Sequence, residues 1–338
     1  MSGTHSGRRC QLVVLLMFLA AILCSAITAR AEDPYPRKAF KLMVPWSPGG
    51  GTDRSARAFA PVLAKYLGQP VGIINVDGGG GWVGWAQAAK WTDPENDHDL
   101  AYVNLPHILS FLDPRLKRTE TLDSFGWLAL HTVDPCIWVI RENETRYRDV
   151  EGFVEYVKEN PGKVTFAVSG VGGDDHLGAV AGLRALEEKY GGPLKVTFTY
   201  SNGDGERIAA LLGGSADVLG GNVAYYIAYA MEAQMKPICV LAKQRVRDMP
   251  TVPTLAEYAG KPIVVSAARY LAVAKNMPEY KRKILLDAVQ KAYADPEYII
   301  TCNKMGDVVQ YVTGEDLRKQ LEEFKALAES VAYWKDAQ

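Results

Sequence analysis

Three stretches of this chain place an apolar strand, a run of glycine and small polar residues, and the start of a helix in immediate succession. They are "VPWSPGGGTDRSAR" (Val44–Arg57), "VTFAVSGVGGDDHLGAVAG" (Val164–Gly182) and "VTFTYSNGDGERIAALLGG" (Val196–Gly214). The first turn of a helix leaves several backbone N–H groups unpaired, and the aligned peptide dipoles put partial positive charge there. Glycines strip side chains from the approach, so an anion can reach those amides. A carboxylate received in this way gains about 1.5–3 kcal/mol per charge-assisted hydrogen bond. The same glycines would also permit plain tight turns from strand to helix. Repetition of one grammar three times argues for a site, because in parallel α/β sheets such loops gather at the carboxyl ends of the strands, where ligands bind.

On this reading Ser47, Gly51, Thr52 and Asp53 of the first loop contact a solute or its bridging water, and Thr52 can also cap the helix. Trp46 offers a flat apolar wall, with Asn104 and His107 as neighbours. The second loop contributes Ser169, Gly170, Gly172 and Gly173 as hydroxyl and backbone donors. Tyr200 and Asn222 approach from neighbouring strand ends. Asp174 and Asp175 follow the second loop directly. Facing the cleft they would repel a dianion and favour an amine or hydroxyl; facing solvent they would cap the helix.

Other chemistries fit less well. "SPGGGTDR" lacks the Gly-Lys-Ser/Thr ending of a phosphate-binding P-loop. Ser169 has Ala167 where a hydrolase nucleophile elbow needs glycine. The five histidines include no pair at metal-ligand spacing on a helix. Neither metal nor cofactor is expected, and a secreted enzyme stays as the competing class.

The elements that must carry these loops alternate along the chain. Strands are expected at Leu42–Trp46, Val71–Val76, Leu100–Val103, Ile137–Ile140, Val164–Val168, Val196–Tyr200, Val218–Leu219, Ile238–Leu241 and Tyr270–Ala274. Helical spacing of apolar residues links several of them, as in Ala56, Phe59, Ala60, Leu63 and Leu67 before Gly68 and Pro70. Alternation of this kind is the mark of an α/β fold with largely parallel sheets.

Residues 1–31 read as an export signal: Arg8 and Arg9, an apolar block from Leu12 to Cys24 that is too short to span a membrane, then Ala29-Arg30-Ala31. Cleavage after Ala31 predicts a periplasmic protein beginning at Glu32, and a lipid anchor on Cys24 is the alternative. Removing three arginines and no acid takes the formal net charge from −1 to −4. That balance does not suit nucleic-acid binding, which needs concentrated positive charge. Cys136, Cys239 and Cys302 remain, an odd number in an oxidising compartment, read as buried core residues with at most one disulfide.

The motifs also resemble a known family, the extracytoplasmic substrate-binding receptors of tripartite tricarboxylate transporters, also called Bug receptors. The resemblance lies in "YPRKAFKLMVPWSPGGGTDRSARAFAPVLAKYLGQPVGIINVDGGGG", "VTFAVSGVGGDDHLGA", "LLGGSADVLGGNV", "RVRDMPTVPTLAEYAG" and "AYADPEY", in order along the chain. It implies a type II periplasmic-binding-protein-like fold. Lobe 1 would be 32–134 plus 255–338 and lobe 2 135–254, closing around a small carboxylate often bridged by ordered water. It further implies a monomer that delivers its solute to membrane transporter subunits or presents it to a sensor kinase. His176 matches a family histidine expected to orient its loop. Asp174, Asp175, Arg269 and Trp46 depart from the family pattern and bear on solute identity.

Overall fold

The computed structural model describes residues 34–201, 203–229 and 234–335. The expected export signal lies outside them. Lys38–Gln338 forms one contact unit. Its strands are β1 Phe40–Val44, β2 Val71–Asn75, β3 Asp99–Leu105, β4 Gly126–Arg141, β5 Thr165–Val168, β6 Thr197–Tyr200, β7 Val218–Asn222, β8 Met235–Val240, β9 Ser266–Val273 and β10 Val308–Val312. The helices are α1 Gly51–Leu67, α2 Trp82–Ala88, α3 Val150–Glu159, α4 Asp174–Tyr190, α5 Asp204–Leu212, α6 Val223–Tyr229, α7 Leu255–Ala259, α8 Glu279–Tyr293, α9 Pro296–Met305 and α10 Gly314–Val331.

Two half-sheets share one long strand. Gly126–Pro135 of β4 pairs with β9, and β10 lies on its other edge; the order continues β9-β3-β1-β2. Past Cys136 the same strand enters a second sheet between β8 and β7, followed by β5 and β6. A second crossing runs beside it, where Cys136 N donates to Val265 O at 2.9 Å on the way into β9. Sequence patterning finds nine of these strands but misses β10 and the first half of β4. The expectation of largely parallel sheets is corrected: among the strands named here, parallel pairing is confined to β1 with β2 and β3, and β5 with β6 and β7. Strand β4 runs through both halves and β9 lies beside it in the first, and every pairing these two strands make is antiparallel.

Each half has its own apolar core, as burial of one sheet face requires. In the first, Phe59 and Leu63 of α1 are fully buried, and the helix ends at Gly68, whose φ of 66° suits the left-handed stop. In the second, Trp138, Phe153 and Phe166 pack with α4, and Leu255, Ala259 and Val265 join that same cluster. After α10 the chain crosses to the second half, where Val331 and Tyr333 cover Leu177 of α4. Cys136, Cys239 and Cys302 are buried free thiols.

Helix α4 approaches its neighbours as closely as a glycine allows. A Cβ on Gly182 would lie 2.7 Å from both Leu255 and the Trp138 ring. Gly182→Val is expected to destabilise the protein by about 1–3 kcal/mol through overpacking, measured by urea unfolding with an unchanged m-value.

Candidate functional site

The loops that follow β1, β3, β5, β6 and β7 converge on one cavity of about 50 Å³ between the two halves. From the first half come Trp46, Ser47, Gly50, Gly51 and Thr52, together with Asn104 near the end of β3 and His107 just beyond it. From the second come Ser169 and Asp174, then Gly203, Asp204 and Arg207, then Asn222 and Tyr225. The crossing strands provide the floor through Asp134, Ala267 and Arg269.

Helix α1 starts without a side-chain cap at Gly50, and Gly50, Gly51 and Thr52 of that start line the cavity. Gly51 N donates to Asp204 Oδ2 at 2.9 Å across the cleft, so the helix start already holds a carboxylate. Asn104 accepts from Trp46 Nε1 at 3.2 Å and donates to Thr52 Oγ1 at 3.0 Å. Arg269 is buried: it donates to Thr132 and Asp307 through Nη1 at 3.2 and 2.9 Å, to Asp134 through Nη2 at 3.2 Å, and to Thr52 through Nε at 3.4 Å. Burial works against its charge, yet Asp307 and Asp134 raise its pKa above the usual value. Burial pushes the Asp134 carboxyl upward, and Arg269 pulls it back.

The wall opposite is built on α4. Asp175 accepts from Ser169 N at 2.8 Å, Ser169 Oγ at 2.6 Å and His176 N at 2.9 Å, so it fastens the second loop. Asp174 Oδ2 accepts from Asn222 Nδ2 at 2.6 Å and the Cys136 thiol at 3.2 Å. His107 bridges the halves through Nε2, 2.9 Å from Ser169 Oγ. His107, Asp174 and Asp175 bring potential metal ligands within 4.8 Å of one another. Both Asp175 oxygens are spent on protein donors, and Arg207 Nη1 stands 3.8 Å from one of them, a setting for a cation already supplied by the protein.

Of the residues expected from sequence, Trp46, Ser47, Gly51, Thr52, Asn104, His107, Ser169 and Asn222 line the cavity. The other six do not line it. Asp53 is buried behind the first loop, bonded to Gly49 N, Arg57 and Asn75; burial opposes its charge, but these donors hold it below the usual carboxylate range. Gly170 abuts Gly80 of the other half. Gly172, with φ of 77°, packs under Tyr333 and Ser110, and Gly173 leaves space that a side chain would take from His107 and Ser169. His176 accepts from Gly172 N at 3.0 Å, and with Tyr200 it lines a separate groove of about 1410 Å³ beside Arg115 and Tyr333. Sequence reasoning missed Asp134, Asp204, Arg207 and Tyr225. Asp204 and Arg207 stand in the third glycine loop, so their motif was visible even though their direction was not.

Comparison with known proteins decides the family. The family model described as the tripartite tricarboxylate transporter family receptor matches residues 55–331. This chain belongs to that family. A UPF0065 protein in the TAR-I ttuE-ttuC' intergenic region of Agrobacterium vitis is 30% identical over 296 residues, covering 86% of this chain and 82% of its own. BugT of Bordetella pertussis is 27% identical over 286 residues, covering 82% of each. Among solved structures, MatC from Rhodopseudomonas palustris with bound malate is 25% identical, with a TM-score of 0.74 over 89% of this chain and 99% of MatC. A second protein from R. palustris, solved with adipate, has a TM-score of 0.79 at 20% identity over 89% and 98% of the two chains, a likeness of fold. The fold is therefore the two-lobed one of periplasmic binding proteins. The protein is a solute-binding receptor of this family rather than an enzyme.

Burial lowers the His176 pKa to about 4, with Arg115 adding to the effect. The unfolded chain, with His near 6.5, binds the extra proton first, so this contribution is present above about pH 6.5 and is lost as pH falls toward 4. Wild type is expected to lose about 2 kcal/mol more stability than His176→Asn between pH 7 and pH 5. Urea unfolding of both proteins at the two pH values checks this.

Proposed function

We propose that this receptor captures a small carboxylate between its lobes in the periplasm and delivers it to the membrane subunits of a tripartite tricarboxylate-type transporter. One observation carries the reading: the start of α1 at Gly51, which has no side-chain cap of its own, and two buried guanidiniums, Arg207 and Arg269, line a single cavity. Backbone amides and guanidiniums are the groups proteins use to hold carboxylates. The carboxylate of Asp204 on Gly51 N supports the helix start as an anion acceptor. Solved structures of the same fold with malate and adipate support the solute class.

A cavity of about 50 Å³ has room for a few waters, well below the ~300 Å³ or more of pockets that hold small ligands. Solute access on this reading requires the lobes to part about the two crossings, β4 at Cys136 and the chain at Val265. The lobes then divide near residue 135 and again near Val265, because 255–265 packs with the second half. The leader would be removed after Ala31 before the mature receptor works.

Thermal unfolding and titration calorimetry against an acid panel that includes malate and adipate test the binding. A bound acid at 100 times its Kd is expected to add about 2.7 kcal/mol of stability and to be recovered unchanged. Response to neutral sugars alone, or turnover of the acid, would refute the reading. Deleting the receptor's gene should abolish cellular uptake of the acid that binds.

A further inference from the structure

Two buried polar atoms among the residues that line the cavity have no hydrogen-bond partner, and they are of opposite kinds. The first is His107 Nδ1. Ser169 Oγ has a single proton and donates it to Asp175 Oδ1 at 2.6 Å. His107 Nε2, 2.9 Å from that oxygen, must therefore carry the hydrogen and donate it. Nδ1 is left with its lone pair, 3.3 Å from Asp174 Oδ1, without hydrogen-bond geometry. Burial lowers the His107 pKa to about 4, against the pull of Asp175, so the ring is neutral at pH 7. Two acceptors facing each other at that distance call for a donor to lie against both.

The second atom is Arg207 Nε. Its guanidinium donates through Nη2 to Asp204 Oδ1 at 2.6 Å, and Nη1 stands 3.8 Å from Asp175. Nε keeps an unpaired N–H although the residue is only 4% exposed. An unmade bond on a buried charged donor is costly, and a ligand acceptor would supply it. Charge points the same way. The cavity is lined by three carboxylates, Asp134, Asp174 and Asp204, and two guanidiniums, Arg207 and Arg269. A dianion meets an acidic wall there, whereas an ammonium group beside a carboxylate meets a partner at each end.

We propose that the solute is an amino acid, its carboxylate received on the Arg207 side and its ammonium group by His107 Nδ1 and Asp174. This rests on the carboxylate reading above and narrows it. The ammonium group donates one hydrogen to each acceptor, which relieves their mutual repulsion. Both Ser169 and Asn222 then serve as positioning residues, since they fix the His107 tautomer and the Asp174 oxygen that remains available.

The test compares pairs of probes that differ only by the amino group, using calorimetry on the full mature receptor: L-aspartate against succinate, and L-glutamate against glutarate. At least one amino acid is expected to bind tenfold or more tightly than its partner acid. Asp174→Asn should bring that ratio near unity. Succinate or glutarate binding as tightly as the amino acids would overturn the proposal, as would binding confined to malate or adipate. The wild-type ratios decide the matter even if the variant does not fold. If no acid of either kind binds a folded receptor, the carboxylate reading itself fails, an outcome distinct from equal binding within a pair.

Discussion

The cleft is organised around one buried guanidinium. Arg269 reaches from β9 to Thr132 and Asp134 of β4, to Thr52 at the start of α1, and to Asp307 just before β10. Ser55 of α1 also bonds Asp307, so the helix is tied to the same centre twice. Two carboxylates stripped of water are tolerable only while that cation stays between them; breaking such a buried arrangement commonly costs about 3–5 kcal/mol. The position of the α1 amides over the cavity is a consequence of this pairing as much as of the glycine loop.

The same centre joins the lobes. Asp134 lies one residue before the point where β4 passes from one sheet to the other, and its Oδ1 also accepts from Ala224 N of the second half at 3.0 Å. Arg54 of α1 donates to Ala224 O at 3.3 Å. His107 to Ser169 and Gly51 to Asp204 complete a set of bonds between halves. The cleft is thus held by its own polar groups, and two of these bonds, Gly51 to Asp204 and His107 to Ser169, join residues that line the cavity a solute would enter. Conformational selection by a solute needs such differential contacts between open and closed forms.

Much of this was legible in the sequence, and the boundary is physical. Strand, glycine run and helix start are local features set by backbone sterics and periodicity, so the loops of β1, β5 and β6 could be read directly, along with eight lining residues. Side-chain direction was not local. Asp53 and Asp204 are both acids just inside a helix start, yet Asp53 turns back to Gly49 and Arg57 while Asp204 crosses the cleft to Gly51. His176 and Tyr200 sit two and three positions from the lining residues Asp174 and Gly203 but line the Tyr333 groove instead. Strand β10 and the first half of β4 escaped for a related reason: their pairing partners are distant in sequence, and β10 is a short strand with an interrupted register.

Asp204 shows why glycine loops alone do not define the solute. An amide row at a helix start accepts any carboxylate, whether from the chain or from solution, and discrimination requires groups that are costly to leave unpaired. In this cleft the amide of Gly51 is already satisfied by Asp204, and Thr52 Oγ1 accepts from both Asn104 and Arg269. What stays unsatisfied is the pair formed by one imidazole nitrogen and one guanidinium nitrogen. On the proposed reading the common backbone frame serves acids in general. Selectivity on that reading falls to the side chains whose hydrogen bonds the fold leaves open, His107 and Arg207, which come from two separate segments, one in each lobe.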